Sequence, residues 1–351
     1  MNSKERLDGF VRGKSVDRRP NLTIVGSVVT QYTEISVEEY CKDYEKMTRS
    51  AILCAKDAGL DYVQIASDLL REAEGFGTQV AYYPDKLPTA VSYALDDIRQ
   101  AEQMQPLKVR EVSRIWDLVK ATKLALESEE DIYPMTLAVG PVTVAGNIRG
   151  VEDFLMDIYD EPEACQRLLD IVTETTLDLV DELAAVGAKY MYLADPVASL
   201  LSPSCYKDMA LSCHKRIYSH MASLGICGRL HMCGNTEAIL PYSSTCGARI
   251  IDIDHAVDYT KAVELVQGRC ILNGNIDPVA DVYACDAEHT YNAIRTLGEK
   301  IGKNEREMRL SPDCSGFLAM THFCVLHHPA HSGAGFLVQM PQSFLLTRSV
   351  L

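Results

Sequence analysis

Short apolar runs with β character return along this chain, and the stretches between them carry a helical period. That alternation limits the fold more than any other feature. Strand-like runs fall at residues 22–25, 62–65, 135–139, 190–193, 228–231, 249–253, 270–273 and 308–311. Helical patterns lie near 37–58, 162–186, 203–224, 236–245 and 287–301. Pro162 suits a first helical position, where its missing N–H is not needed. Gly187, Gly225 and Gly247 stand where helices end. Strands and helices in alternation build parallel βαβ units, and eight of them in 351 residues predict an α/β fold closed as a (β/α)8 TIM barrel. The barrel is expected to occupy residues 1–314 as one domain. Between its second and third strands, about 70–132, the chain exceeds a single crossover helix. An insertion of extra helices is expected there, one near 113–126, with an irregular segment at 82–88.

Charge narrows the function classes. Lys plus Arg number 34 against 49 Asp plus Glu, a net charge of −15, which repels a phosphate backbone and argues against nucleic-acid binding. No apolar run reaches the 18 or so residues of a membrane span. The first twenty residues place charges where a signal peptide needs its apolar stretch, so a cytoplasmic protein is expected. Twelve cysteines scattered without a framework read as reduced, mostly buried residues. No Gly-rich phosphate loop follows a strand.

In a barrel of this kind, chemistry gathers at the C-terminal ends of the strands. The polar residues there are Asp68, Asn147, Asp195, His231, Cys233, Asp254, Asn275, Asp277 and Cys314. The sharpest pattern is His231-Met232-Cys233, because residues two apart on an extended chain face the same way. Cys314 directly follows the eighth predicted strand. An imidazole and two thiolates form a zinc-type ligand set, with a fourth position left for a substrate. Such a site lowers the pKa of an incoming thiol, so alkyl transfer to sulfur fits it better than peptide hydrolysis, for which HExxH is missing. A His-x-Cys pair is a short pattern, and a buried cysteine beside a satisfied histidine gives the same letters. Asp195, Asp68 and Asn147 are the candidate catalytic residues. Asp195 either meets substrate or caps a turn, Asp68 leads the acidic run with Glu72 and Glu74, and Asn147 offers a hydrogen bond to an acceptor. Asn275 and Asp277 read as turn residues. Asp254 is one candidate for the carboxylate that a metal-bound imidazole needs on its other nitrogen, and the sequence leaves the choice of acid open.

These residues resemble the uroporphyrinogen decarboxylase superfamily. The likeness runs from Gly13-Lys14-Ser15-Val16-Asp17-Arg18 through Gly140-Pro141-Val142-Thr143, Ala194-Asp195-Pro196 and His231-Met232-Cys233-Gly234 to Gly274-Asn275-Ile276-Asp277-Pro278 and Ser311-Pro312-Asp313-Cys314. The motifs are similar to the zinc-dependent corrinoid methyltransferase branch. That resemblance implies Zn2+ held by His231, Cys233 and Cys314, a methyl-corrinoid carried by a separate partner protein, and a thiol of the coenzyme M type, or tetrahydrofolate, as acceptor. The decarboxylase branch implies an arginine-rich loop after the first strand, where this chain has Gly26-Ser27-Val28-Val29-Thr30-Gln31-Tyr32. Its tyrosine falls on Asn147 and its late histidine on Cys314, while its aspartate has a counterpart in Asp68. Porphyrinogen decarboxylation, and a non-catalytic zinc protein that docks on a corrinoid protein, are the alternative readings. Residues 315–351 depart from the family pattern. They hold one charged residue, Arg348, with four of the seven Phe and four of the nine His, at 322, 327, 328 and 331, and read as an atypical tail.

Overall fold

Eight strands occur among residues 1–307, the part of the chain that the computed structural model describes, with side chains described through Ile301. They are β1 (Tyr62–Ile65), β2 (Gln79–Ala81), β3 (Thr89–Ser92), β4 (Tyr133–Val139), β5 (Tyr190–Ala194), β6 (Cys227–His231), β7 (Ile250–Asp252) and β8 (Ile271–Asn273). β1 and β4 through β8 pair in parallel, in chain order, as one six-stranded sheet. Helices follow the strands, and β1, β5, β7 and β8 are buried along their whole length. This is the α/β architecture of a TIM-type barrel.

The longest helix, Pro162–Ala185, opens on proline as its sequence suggests and turns Leu168, Leu169, Val172, Leu179, Val180 and Leu183 into the core. Burying each such side chain contributes about 1.5–3 kcal/mol. At the opposite end from the strand C-termini, the Asp17-Arg18 motif ties the chain together. Buried Asp61 accepts from Arg6 Nη1 at 2.6 Å, Arg18 Nη1 at 2.6 Å and the Asn21 amide at 2.7 Å. Arg6 also binds Asp17, and its guanidinium holds the Asp17 carboxyl far below the usual range.

Several expectations change. Segment 22–25 is buried against β1 but forms no strand. Its polar groups are met by side chains instead: Tyr62 Oη donates to the Thr23 carbonyl at 2.9 Å, and the Val25 amide donates to Gln64 Oε1 at 3.2 Å. The eighth predicted strand, 308–311, and the tail at 315–351 lie outside the described residues. The helical pattern at 37–58 is two helices, Val37–Lys42 and Tyr44–Asp57, because Asp43 leaves helical geometry and its carboxylate caps Glu45 and Lys46. The pattern at 236–245 shortens to Leu240–Ser243, whose Pro241 fits only a first turn. Instead of a purely helical insertion, the stretch after β1 holds a short helix at Arg71–Gly75, the antiparallel β2–β3 ribbon, two 3-10 turns and the expected long helix, Ser113–Ser128. Among the described residues no helix is long and apolar enough to cross a membrane.

Candidate metal centre

Strand β6 places alternate residues on one face of the sheet, so Arg229 and His231 share a direction. His231 lies opposite Ala194 of β5, and Arg229 opposite Tyr192. Leu230 pairs with Ile251, which brings His231 beside Asp252 on β7, and Asp252 in turn pairs with Asn273 on β8. Register alone therefore assembles a polar layer from three consecutive strands.

The hydrogen bonds in that layer fix the state of the imidazole. Asp252 accepts from Arg229 Nε, 2.9 Å to Oδ1 and 3.0 Å to Oδ2, and from Asn273 Nδ2 at 2.6 Å. His231 Nδ1 lies 3.0 Å from Asp252 Oδ2. Facing a carboxylate, Nδ1 is the donor, and the Nε2 lone pair is left to point outward. It points at sulfur: Nε2 and Cys233 Sγ are 3.2 Å apart. Zinc bond lengths of about 2.0–2.1 Å to nitrogen and 2.3 Å to sulfur set tetrahedral ligands roughly 3.5 Å apart, so this pair has the spacing and the donor chemistry to share an ion. The carboxylate-imidazole arrangement behind it is the one metal-binding histidines require. Cys314, the third expected ligand, lies outside the described residues, among which no cluster of three metal-binding side chains occurs.

The carboxylate behind His231 is Asp252 and not Asp254. Asp254 instead holds the loop after β6, accepting from the Gly234 amide at 3.0 Å and the Ala256 amide at 3.0 Å. Asp277 accepts from the Val279 and Ala280 amides at 2.8 and 3.0 Å, which is turn chemistry, and Asn275 donates to the Val257 carbonyl at 2.7 Å.

The candidate catalytic residues are placed as follows. Asp195, 0% exposed, accepts from the Thr143 amide and hydroxyl, both at 2.7 Å, from the Val142 amide at 3.3 Å, and from His214 Nε2 at 2.9 Å. It caps the helix Pro141–Arg149, and Gly140 is required beside it, since a β-carbon there would sit 2.3–2.6 Å from the Asp195 side chain. Both its oxygens are engaged inside the fold. Asp68 is buried and ion-paired with Arg114, and accepts from the Leu70 amide at 2.9 Å. Burial pushes its carboxyl up, but Arg114 and Arg71 outweigh that and hold it below the usual value. Asn147 Nδ2 donates to the Leu69 carbonyl at 2.8 Å, tying the helix after β4 to the loop after β1. Each of the three side chains is engaged within the fold, and Asp195 stands next to the pair, its amide donating to the His231 carbonyl at 2.8 Å.

Sequence reasoning missed Arg229, Asp252, Asn273, Arg114 and His214. Arg229 was visible as the residue two before His231 on the same strand. Asp252 needed the pairing register between β6 and β7, which a sequence does not state.

Residues 2–307 match the family model described as uroporphyrinogen decarboxylase (URO-D). A methylcobamide:CoM methyltransferase, MtbA, of Methanosarcina acetivorans is 27% identical over 326 residues, spanning 91% of this chain and 93% of its own. A uroporphyrinogen decarboxylase of Syntrophotalea carbinolica is 24% identical over 277 residues, spanning 76% and 80%. Among solved structures, a methyltransferase from Methanosarcina mazei superposes with a TM-score of 0.78 at 21% identity, over 100% of this chain and 99% of that one, and so shares the fold.

Proposed function

Because the chain belongs to the uroporphyrinogen decarboxylase family across residues 2–307, we propose that it is a zinc-dependent methyltransferase, moving a methyl group from a methylated corrinoid on a partner protein to a small thiol of the coenzyme M type. The observation that supports this most is the His231 Nε2 atom facing Cys233 Sγ at 3.2 Å, with Nδ1 anchored on Asp252. His231, Cys233 and Cys314 would hold Zn2+, which supplies Lewis acidity that lowers the pKa of a thiol at neutral pH. Asp252 orients the imidazole, and Gly234, at φ +82, turns the chain away immediately after Cys233. The acceptor sulfur attacks the methyl carbon, so that an S–C bond forms as the Co–C bond breaks, its electron pair remaining on cobalt and the thiol proton passing to solvent. Tetrahydrofolate is the second acceptor to compare.

Decarboxylation of a porphyrinogen is the weaker reading. A polycarboxylate needs cationic partners. Residues 26–32 supply none, and Asp68 is already paired with Arg114.

The test measures zinc content and methyl transfer from methylcobalamin to coenzyme M, homocysteine and tetrahydrofolate, for the wild type, His231→Ala and Cys314→Ser. Stoichiometric zinc in the wild type, lost from both variants together with thiol methylation, is expected. Unchanged zinc in both variants refutes the ligand set, and uroporphyrinogen decarboxylation by zinc-free protein refutes the methyl-transfer reading. Zinc retention without transfer to any acceptor favours a non-catalytic zinc protein.

A further inference from the structure

A guanidinium stands in the interior, using only one edge on the Asp252 carboxylate. Arg229 is 1% exposed, and its guanidinium carbon lies 5.8 Å from the ring centre of Tyr62 and 5.4 Å from that of Tyr192. Its Nη1 and Nη2 atoms make no hydrogen bond among the described residues. An arginine that leaves two of its nitrogens unmatched in a desolvated interior is not placed there to satisfy itself, because such burial is costly unless paired. Its ion-pair partner is Asp252, and the contact is made by the side-on Nε–H, shared between both carboxylate oxygens at 2.9 and 3.0 Å.

We infer that Arg229 is a positioning residue for His231: it clamps the Asp252 carboxylate so that Oδ2 faces Nδ1 and the imidazole presents Nε2 toward Cys233. This rests on the metal reading of His231 and Cys233 given above. Three contacts set the orientation of the carboxylate. Asn273 holds Oδ1 at 2.6 Å, His231 meets Oδ2 at 3.0 Å, and Arg229 spans both. Remove the cation and the carboxylate loses the contact that spans both of its oxygens. Charge points the same way. Arg229 neutralises the buried Asp252 carboxylate, so the imidazole leans on an ion pair and not on a lone buried anion. The flanking Tyr62 and Tyr192 rings present their faces to the guanidinium, which suits a flat cation better than an ammonium.

The experiment reads the imidazole directly, in metal-free protein carrying 15N-labelled histidine. Two-bond proton–nitrogen correlations report which ring nitrogen is protonated, and the His231→Ala spectrum assigns the signal. The wild type is expected to show the Nδ1–H tautomer. In Arg229→Met the His231 shifts should move toward the average of two tautomers, and the zinc dissociation constant, from competition with a chromophoric chelator, should rise about 10–100-fold. Arg229→Lys keeps the charge but has no side-on N–H, so its zinc affinity should fall between the two. A role confined to packing would lower the melting temperature without moving the His231 nitrogen shifts. The inference is overturned by an Nε2–H tautomer in the wild type, or by a folded Arg229→Met with wild-type shifts and zinc affinity. Should Arg229→Met not fold, Arg229→Lys with unaltered shifts and affinity overturns it equally. A wild type that binds no zinc defeats the metal reading, while the tautomer in the wild type and the Arg229 variants still decides the role of Arg229.

Discussion

Replacing Asp195 by alanine separates a carboxylate that builds the barrel from one that meets substrate. Four donors converge on it: the Val142 amide, the Thr143 amide and hydroxyl, and His214 Nε2. One of them has an escape, while the Thr143 hydroxyl, which accepts from the Val197 amide at 3.0 Å, loses the acceptor for its own proton. His214, whose Nδ1 sits 2.9 Å from Tyr206 Oη, can move its proton to Nδ1 and donate there. The two backbone amides at the start of Pro141–Arg149 have no substitute and are buried. Each orphaned donor costs about 1–3 kcal/mol, and a small cavity adds to that, so the loss should be roughly 3–5 kcal/mol, typical of breaking a buried ionic network. At about 2 °C per kcal/mol for a chain of this size, the melting temperature should drop by roughly 6–10 °C. Asp195→Asn keeps an oxygen for Thr143 and should lose about half as much. Thermal unfolding by circular dichroism gives the shift, and methyl transfer at saturating substrates, measured well below the melting point, should stay within a few-fold of wild type. Transfer reduced by orders of magnitude in a protein whose melting temperature moves less than about 2 °C would show that the carboxylate contacts the reacting groups.

Two further outcomes follow from the titrating groups. The Asp68 carboxyl is held below its unfolded value of about 3.9 by Arg114 and Arg71 against the push of burial. The unfolded chain therefore takes up that proton first, and the stability contributed by Asp68 is present above about pH 4 and drains away as pH falls through the folded value. Urea titrations from pH 6 down to pH 2.5 should show a shallower acid limb in Asp68→Asn than in the wild type, and equal limbs would contradict the pairing. Burial pushes the thiols of Cys54, Cys165, Cys246 and Cys270 up to about 12. In native protein at pH 8 with a chelator present, iodoacetamide should label the partly exposed Cys205, Cys233 and Cys285 well before these four, as read by peptide mass spectrometry.

The sequence made the strands of the parallel sheet legible because all but β6 are runs with β-branched or aromatic residues closed by a turn, and hydrophobic period is what a sequence displays best. It misjudged segment 22–25 because burial looks the same whether backbone groups are met by a ladder or by Tyr62 and Gln64. The β2–β3 ribbon escaped because its strands are three and four residues long and mostly exposed, with no hydrophobic alternation to announce them. At the site, His231 and Cys233 were visible because both sit on one stretch of chain. Asp252 was not, because the pairing that sets it beside His231 is a property of two strands together. The list of strand-end residues passed over it for Asp254, two positions too far.

Arg229, His231 and Cys233 occupy successive odd positions along a single strand and its exit, so their shared direction depends on parity. An insertion or deletion of one residue inside β6 would leave the barrel recognisable and send the imidazole outward among the helices. The connections beyond Gly234 are free of that parity, so residues can be gained or lost there without turning His231 over.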